Sequence, residues 1–222
     1  MILVNTNGII LIDKEISNKE IEMSVSIETI KRLPVYLRIL KAKKEENIKN
    51  ISSTAIANEL KLNSIQVRKD LAAVSKEDGK PGVGFEIDKL IEDINDFLDL
   101  NQTKNVIIVG AGRLGQALLN YNQFENEINV VMAFDKDRSK CNNKNILYID
   151  KMQEEIKKMD IHIGIITVPK EEAQNVCDLM VQNGIEAIWN FAPTILNVPK
   201  GVAVKNEDLS VSLSILIKQM GK

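Results

Sequence analysis

The sequence predicts two successive domains, an α+β domain followed by an α/β domain. In the first part of the chain, apolar residues recur at helical spacing in segments separated by short turns. From Lys104 onward, strand-length apolar runs alternate with helical segments. Such alternation is typical of a parallel sheet covered by helices on both faces. A chain of 222 residues is long enough for two cores of this kind.

Composition and charge exclude several classes of protein. Hydrophobic residues make up 44% and charged residues 27% of the chain, as in ordinary globular proteins, and the net charge is only −2. Cys141 and Cys177 are isolated, so we expect neither a disulfide framework nor a metal site. The apolar runs 106–109 and 161–168 are too short to cross a bilayer, and residues 1–22 lack a secretory signal. We therefore expect no membrane association and a cytoplasmic location.

The beginning of the chain divides into an extension and a long helix. Met23 resembles a second start, and 1–22 show no partnership with the pattern that follows, so we expect a poorly ordered extension there. From Ile27 a helical period begins. Pro34 is expected in or near the first turn, because proline inside a helix removes a hydrogen bond. The period is carried by Ile30, Leu33, Leu37 and Leu40.

Two short helices joined by a tight turn are predicted next. Ser52 or Ser53 can cap the first helix, and Asn63 or Ser64 the second. The expected inward residues are Ile56, Ala57 and Leu60 in the first helix, then Ile65, Leu71 and Val74 in the second. The segment GKPGVGF follows, with the glycines and proline of a hairpin tip. Residues 23–87 are thus predicted to form a winged helix-turn-helix.

Charge separates along the chain in a way that its total conceals. Residues 24–84 contain 12 lysines and arginines against 7 aspartates and glutamates, whereas 85–100 contain one lysine against six acidic residues. The basic surface therefore belongs to the winged module, as expected of a nucleic-acid interface. The acidic segment is predicted to form an amphipathic connector helix over 88–101.

Residues 102–205 are predicted to form a Rossmann domain that binds a dinucleotide. GAGRLG follows a strand and opens a helix, and Asp135 ends the next strand. Gly110 permits the tight turn, Gly112 lets a pyrophosphate approach the backbone, and Gly115 permits close helix packing. Asp135 can accept hydrogen bonds from the adenosine ribose and repels a 2′-phosphate, which favours NAD(H) over NADP(H). Arg138 lies close to Asp135 along the chain, and its positive charge leaves NADP(H) as the alternative.

Two other turns lie where ligands bind in such folds, at the carboxyl ends of strands. Thr167-Val168-Pro169 and Asn190-Phe191-Ala192-Pro193 either line the nicotinamide half of the site or are ordinary strand-to-helix turns. His162 sits in an apolar strand and is interpreted as a core residue, so no catalytic residue is assigned. The candidate cofactor-binding residues are Gly110, Ala111, Gly112, Arg113, Leu114, Gly115, Asp135, Arg138, Thr167, Val168, Pro169, Asn190, Phe191, Ala192 and Pro193.

The chain from about Met23 onward resembles the Rex family of redox-sensing transcriptional repressors. The motifs that carry the resemblance are IKRLPVYLRIL, QVRKDL, GKPGVGF, GAGRLGQALLNY, the TVP and NFAP turns, and EDLSVSL. The resemblance implies a homodimer that senses the NADH/NAD+ balance, binds a palindromic operator in double-stranded DNA, and leaves it when NADH rises. It implies no catalysis.

The resemblance also implies roles for particular residues. Ser64, Gln66, Arg68 and Lys69 would enter the major groove, and Lys80 and Gly82 would lie at the wing tip. The chain departs from many relatives at 72–75, which reads AAVS, and at Pro81, where a basic residue is common.

The segment 206–222 is predicted to be a dimerisation helix, with Leu209, Leu213, Leu216 and Met220 on one apolar face. Such a face packs either on its own Rossmann sheet or on a second chain. The resemblance implies a domain-swapped helix and a switch in which Asp208 meets either Tyr121 or Arg38 of the other subunit. Two alternatives stay open: a small NAD-dependent oxidoreductase, and a DNA-binding regulator that senses another nucleotide such as coenzyme A.

Overall fold

The computed structural model describes residues 2–4, 9–12, 25–121, 128–142 and 144–221. The chain divides into two compact units, Met1–Asn101 and Gln102–Lys222. Within the described residues, no helix is long and apolar enough to cross a membrane.

The first unit is built around four helices. They are α1 (Ile27–Glu45), α2 (Ser53–Leu60), α3 (Ser64–Val74) and α4 (Ile87–Phe97). Their inward side chains form one core that includes Leu33, Leu40, Ile56, Leu71 and Leu90. The acidic segment that the sequence suggests as a connector is α4, whose apolar side packs into this core. Most of its charged residues are exposed on the outside of the first unit, whereas Asp93 is buried.

The position of Pro34 differs from the prediction. Pro34 lies inside α1, seven residues beyond the first residue Ile27, rather than in its first turn. The residues around it explain why the helix continues. Leu33, Tyr36 and Leu37 are buried, so packing of the helix offsets the hydrogen bond that proline cannot donate. Ser26 caps the helix by accepting a hydrogen bond from the Thr29 N–H.

Helices α2 and α3 form the predicted helix-turn-helix. Ser52 caps α2 and Asn63 caps α3, each through a side-chain oxygen that accepts a backbone N–H. Lys61 ends α2 in the left-handed conformation, which begins the tight turn. The expectation that Ile65 points inward is wrong, because its side chain is 56% exposed and Val67 occupies the core instead.

A short wing follows α3. Strands β4 (Asn50–Ile51) and β5 (Phe85–Glu86) pair antiparallel, and a tight turn lies between Lys80 and Gly84. Gly84 has a φ of +88°, and a side chain there would overlap the Ile51 carbonyl. Glycine is therefore required where the wing passes the strand that precedes α2.

The extension expected to be poorly ordered contains two described strands. Strands β1 (Ile2–Val4) and β2 (Ile9–Ile12) pair antiparallel, and β2 pairs with β3 (Val25–Ser26). The other residues of 1–22 lie outside the described residues.

The second unit contains a six-stranded sheet in which every neighbouring pair is parallel. The strands lie in the order β8-β7-β6-β9-β10-β11. Their bounds are β6 Lys104–Val109, β7 Ile128–Asp135, β8 Ile146–Tyr148, β9 Ile163–Ile166, β10 Ala187–Asn190 and β11 Ala203–Asn206. This order is that of a doubly wound dinucleotide-binding fold, which confirms the predicted fold class.

Helices cover both faces of this sheet. Helices α6 (Met152–Met159) and α7 (Lys170–Gln182) pack on one face, whereas α5 (Arg113–Leu119) belongs with the other. The prediction that His162 is a core residue is wrong. It lies just before β9, where the chain enters the sheet, and its half-exposed ring contacts the carboxylates of Asp160 and Glu186.

The last helix, α8 (Leu209–Met220), begins at Asp208, whose carboxylate caps it. None of its residues is buried, although its composition is strongly apolar. The exposed apolar side chains are Leu209, Val211, Leu213, Ile215, Leu216, Ile217 and Met220. The single chain therefore leaves this face uncovered.

Candidate nucleotide cleft and nucleic-acid interface

The second unit holds a cleft at the carboxyl edge of its sheet. The chain leaves β6 for one face and β9 for the other, so the sheet has its topological switch point between these two strands. Ligands of doubly wound sheets bind at this point. A cleft of about 630 Å³ opens there, lined by Val109, Gly110, Gly112, Asp135, Lys136, Lys140, Ile149, Thr167, Val168, Pro169, Glu172, Asn175, Val176 and Leu179.

The three glycines of the turn after β6 have different surroundings. Gly110 has a φ of +109°, and a side chain there would overlap Thr167. A side chain at Gly115 would overlap the Gly110 carbonyl oxygen, so the first turn of α5 packs directly on the glycine turn. A side chain at Gly112 would meet no protein atom within 4 Å. The open space beside Gly112 is the space that a phosphate group needs to reach the backbone.

Asp135 stands at the end of β7 with its carboxylate 6% exposed. The Ala111 N–H donates to its Oδ2 at 2.7 Å and the Asp137 N–H donates to its Oδ1 at 2.8 Å. Lys140 Nζ lies 3.2 Å from Oδ2. These bonds tie the acidic side chain to the glycine turn and leave acceptor capacity for a ligand hydroxyl, since a carboxylate has about four lone-pair directions.

Cationic side chains surround this end of the cleft. Lys136 forms an ion pair of 2.7 Å with Glu172 on α7. Arg138 instead lies over the Tyr148 ring, 3.8 Å from its centroid, and is not among the residues that line the cleft. Lys136 and Lys140 were not among the predicted residues, although both follow Asp135 closely along the chain.

The two predicted turns differ in their relation to the cleft. Thr167, Val168 and Pro169 line it, and the Thr167 hydroxyl donates to the Gly110 carbonyl at 2.7 Å. Asn190 is fully buried, and its amide group holds the next turn by donating to the Thr194 carbonyl and to the Asn206 side chain. Residues 190–193 lie outside the cleft lining of this chain.

The first unit carries the predicted nucleic-acid interface on α3 and the wing. Arg68 and Lys69 are exposed, and Ser64 is half-buried at the start of α3. Lys80 and Gly82 are exposed at the wing, where Gly82 adopts a φ of +74°. The acidic residues before the wing tip are partly neutralised, because Lys89 lies 3.3 Å from Glu77.

A buried carboxylate anchors α3 to α1. Asp70 is 1% exposed and accepts hydrogen bonds from Arg32 Nε at 2.6 Å, Arg32 Nη2 at 2.9 Å and the Tyr36 hydroxyl at 2.7 Å. The Thr29 hydroxyl and the Gln66 amide also donate to it, at 3.1 and 2.8 Å. Burial raises the pKa of the Asp70 carboxyl, but the hydrogen bonds from Arg32, Tyr36 and Gln66 outweigh burial and hold this pKa below its ordinary value. Burial also raises the pKa of the Tyr36 hydroxyl, as does its bond to Asp70.

The three predicted switch residues lie in different parts of the chain. Arg38 is exposed on α1, and Tyr121 is exposed just after α5. The Asp208 carboxylate accepts hydrogen bonds from the Ser210 N–H at 2.9 Å and the Val211 N–H at 3.3 Å. Its bonds with the Ser210 side chain and backbone lower the pKa of Asp208, so it is an anion at neutral pH. Over the described ranges, no group of His, Cys, Asp and Glu side chains could hold a metal ion.

Comparisons with known proteins match both parts of the chain. Residues 24–72 match the family model described as "Putative DNA-binding protein N-terminus", and residues 101–194 match the model described as "CoA binding domain".

Longer matches come from individual proteins. The chain is 42% identical over 193 residues to the redox-sensing transcriptional repressor Rex of Carboxydothermus hydrogenoformans, covering 85% of this chain and 92% of the relative. It is 37% identical over 204 residues to the protein of the same name from Clostridium perfringens, covering 89% and 95% of the two chains. These relatives are named as repressors and not as enzymes.

Solved structures of a Rex-family repressor called RSP match as well. RSP in complex with β-NAD+ and operator DNA is 34% identical, with a TM-score of 0.82 over 91% of this chain and 94% of RSP. RSP in complex with β-NADH has a TM-score of 0.76, again over 91% of this chain.

Proposed function

The chain belongs to the Rex family of redox-sensing transcriptional repressors, and we propose that it binds operator DNA as a homodimer and leaves it when NADH occupies its Rossmann domain. It acts as a regulator that reads the NADH/NAD+ ratio and not as an enzyme. One observation carries the proposal. A repressor that matches 91% of this chain has been solved with both NAD+ and operator DNA, and this chain has a cleft and an exposed helix suited to each ligand.

The nucleotide cleft supports NAD(H) as the ligand. Gly112 leaves room for a pyrophosphate, and Asp135 lies on the same side of the glycine turn with acceptor capacity for ribose hydroxyls. A 2′-phosphate beside this carboxylate would meet a like charge at short range. The cofactor-binding residues that we propose are the predicted set, with Lys136 and Lys140 added because they line the cleft.

The DNA contacts are proposed for α3 and the wing. Ser64, Gln66, Arg68 and Lys69 stand on the second helix of a helix-turn-helix, the helix that such folds place in the major groove. Lys80 and Gly82 lie at the wing, close to where a minor groove or a phosphate would be met. The proposed modules are 23–87 for DNA, 88–101 as connector, 102–205 for NAD(H) and 206–222 for dimerisation. As a DNA-binding regulator the protein is proposed to work in the cytoplasm.

The uncovered apolar face of α8 supports the homodimer. A monomer does not ordinarily expose so many large apolar side chains on one helix, whereas a domain-swapped partner would cover them. A twofold dimer would present two α3 helices to a palindromic operator.

A proposed switch links the two ligands. Asp208, at the start of α8, would meet Arg38 of the other subunit in one state and Tyr121 of the other subunit in the alternative state. Charged oxidised nicotinamide and neutral reduced nicotinamide would favour different states. To convert most molecules from one state to the other requires about 5.5 kcal/mol of differential binding, which two sites in a dimer share.

The test of the proposed function is fluorescence anisotropy of the full chain on a labelled palindromic promoter fragment from its own genome. NADH is titrated at fixed NAD+ and fixed salt, because affinity for DNA depends strongly on ionic strength. We expect NADH to release the DNA and NADPH to leave it bound. DNA that stays bound at saturating NADH would contradict the proposal.

A second candidate ligand is coenzyme A, since residues 101–194 match a coenzyme A-binding family model. The same titration with coenzyme A in place of NADH separates the two. Thermal melting provides a second readout, because a ligand that binds only the folded state raises the melting temperature. We expect NADH and NAD+ to raise it and coenzyme A to leave it unchanged.

A further inference from the structure

The first turn of α3 exposes two neighbouring side chains, those of Ile65 and Gln66. Ile65 is 56% exposed, although it lies between Asn63, which caps the helix, and Val67, which is fully buried. Gln66 is exposed beside it and reaches back to Asp70. In a helix-turn-helix, the first turn of the second helix faces the edges of the bases. These two side chains therefore lie where a helix-turn-helix contacts the bases and distinguishes one DNA sequence from another.

The orientation of the Gln66 amide is fixed by chemistry. Its partner, Asp70, is ionised and already accepts four hydrogen bonds from Arg32, Tyr36 and Thr29. An ionised carboxylate can only accept, so the nitrogen of the Gln66 amide must face it. The amide oxygen is then directed elsewhere, as an acceptor available to a ligand. Arg32 and Tyr36 hold Asp70 in place, which makes Asp70 a positioning residue for Gln66.

An acceptor in the major groove selects bases that donate there, which are adenine through N6 and cytosine through N4. A branched apolar side chain beside it selects the C5-methyl group of thymine. Only the A·T pair offers both a donor and a methyl group on one major-groove edge.

We propose that Ile65 and Gln66 together read an A·T base pair in each half of the operator. Ile65 packs on the thymine methyl group, and the Gln66 oxygen, directed by Asp70, accepts a hydrogen bond from adenine N6. The proposal rests on the proposed function, in which α3 enters the major groove. It adds a specificity-determining role for Ile65, a residue whose exposure the fold leaves unexplained.

The test uses the full chain and a duplex that the chain itself recovers from a randomised library. Each thymine of the recovered duplex is replaced in turn by deoxyuridine, which lacks only the methyl group. Each adenine is replaced by purine, which lacks only the N6 amino group. We expect one thymine per half-site whose replacement weakens binding about fourfold, or about fifteenfold when both half-sites are changed. We expect purine to weaken binding about tenfold at the adenine that pairs with this thymine.

Variants assign each effect to a side chain. Ile65→Ala should bind the unmodified duplex more weakly and lose its sensitivity to deoxyuridine, while keeping sensitivity to purine. Gln66→Leu should show the reverse pattern. Ile195→Ala is the matched control, since Ile195 is 86% exposed and lies in the second unit. It should keep both sensitivities.

The outcomes separate this inference from the function on which it rests. If no duplex is recovered, the proposed function fails and the inference fails with it. If a duplex is recovered and released by NADH, but Ile65→Ala keeps the deoxyuridine sensitivity of the parent protein, the inference alone is overturned. A sensitive adenine that does not pair with the sensitive thymine would also overturn it.

Discussion

At the scale of single residues, two glycines and one buried carboxylate show most clearly whether a residue serves the fold or a ligand. Gly112 and Gly115 belong to the same motif, but only Gly115 is surrounded by protein. Asp70 joins α3 to α1 through four hydrogen bonds from Thr29, Arg32 and Tyr36. Each of these residues gives a prediction that separates a structural role from a binding role.

Gly112→Ala is expected to abolish NAD(H) binding without unfolding the domain, because the added methyl group enters only the space left for the phosphate. Gly115→Ala is expected to destabilise the domain, since the methyl group would overlap the Gly110 carbonyl. Thermal melting with and without NADH measures both effects. A Gly112→Ala protein that is still stabilised by NADH would contradict the assignment of the phosphate position.

Asp70→Asn is expected to lower the free energy of unfolding of the first unit by about 3 kcal/mol, because Arg32 loses a buried partner. The pKa of Asp70 is lower in the folded protein than in the unfolded chain. Its stabilisation is therefore complete above the unfolded value of about 3.9 and is lost as pH falls through the folded-state pKa. Denaturant titrations at pH 7 and near pH 3 should differ less for Asp70→Asn than for the parent protein. An equal difference for both would exclude this role of Asp70.

At the scale of secondary-structure elements, α8 and α3 share a property. Both expose apolar side chains that their own units do not cover. On α3, Ile65 is an isolated exposed apolar residue beside polar and cationic residues, which is typical of a protein surface that binds DNA. On α8 the exposed apolar side chains are numerous and include Leu209, Leu213, Leu216 and Met220 on one face, as suits burial within an oligomer.

Leu213→Glu is expected to convert the proposed dimer into monomers, because a carboxylate on this helix would be buried without a partner in the interface. Sedimentation velocity measures the change directly. Lys218→Glu is a matched control on the same helix, and we expect it to leave the dimer intact. If Leu213→Glu sediments as the parent protein does, α8 does not form the dimer interface.

At the scale of the whole molecule, the proposed switch requires Asp208 to exchange partners. In the single chain its carboxylate caps α8 through Ser210 and Val211. Asp208→Ala is expected to keep NADH affinity within about threefold, since Asp208 does not line the cleft. It is expected to lose the coupling between NADH binding and DNA binding. The coupling free energy between two such sites is commonly about 1–3 kcal/mol.

The coupling is measured as the ratio of DNA affinities with and without saturating NADH. Asp208→Asn retains an acceptor for the helix cap but lacks the charge, and it serves as the second variant. If Asp208→Ala binds NADH and releases DNA as the parent protein does, the switch is wrong and Asp208 is only a helix cap.

The sequence by itself determined the fold class, the two domains and most of the nucleotide motif. These features depend on local information, namely apolar periodicity, glycines at fixed spacing and an acidic residue at the end of a strand. The family resemblance added NAD(H) and the repressor function, which the relatives bear out. Local residue preferences narrowed the two caps to Ser52 or Ser53 and to Asn63 or Ser64, and the structure has Ser52 and Asn63.

Only the tertiary structure decided which side chains share a site or a core. Asp70 and Arg32 are 38 residues apart, and Lys136 and Glu172 are 36 apart, so no local pattern pairs them. Pro34 within α1, the exposed Ile65 and the exposed His162 were predicted wrongly for a related reason. Helical period and composition indicate which residues are apolar, but packing against distant segments decides which of them are buried.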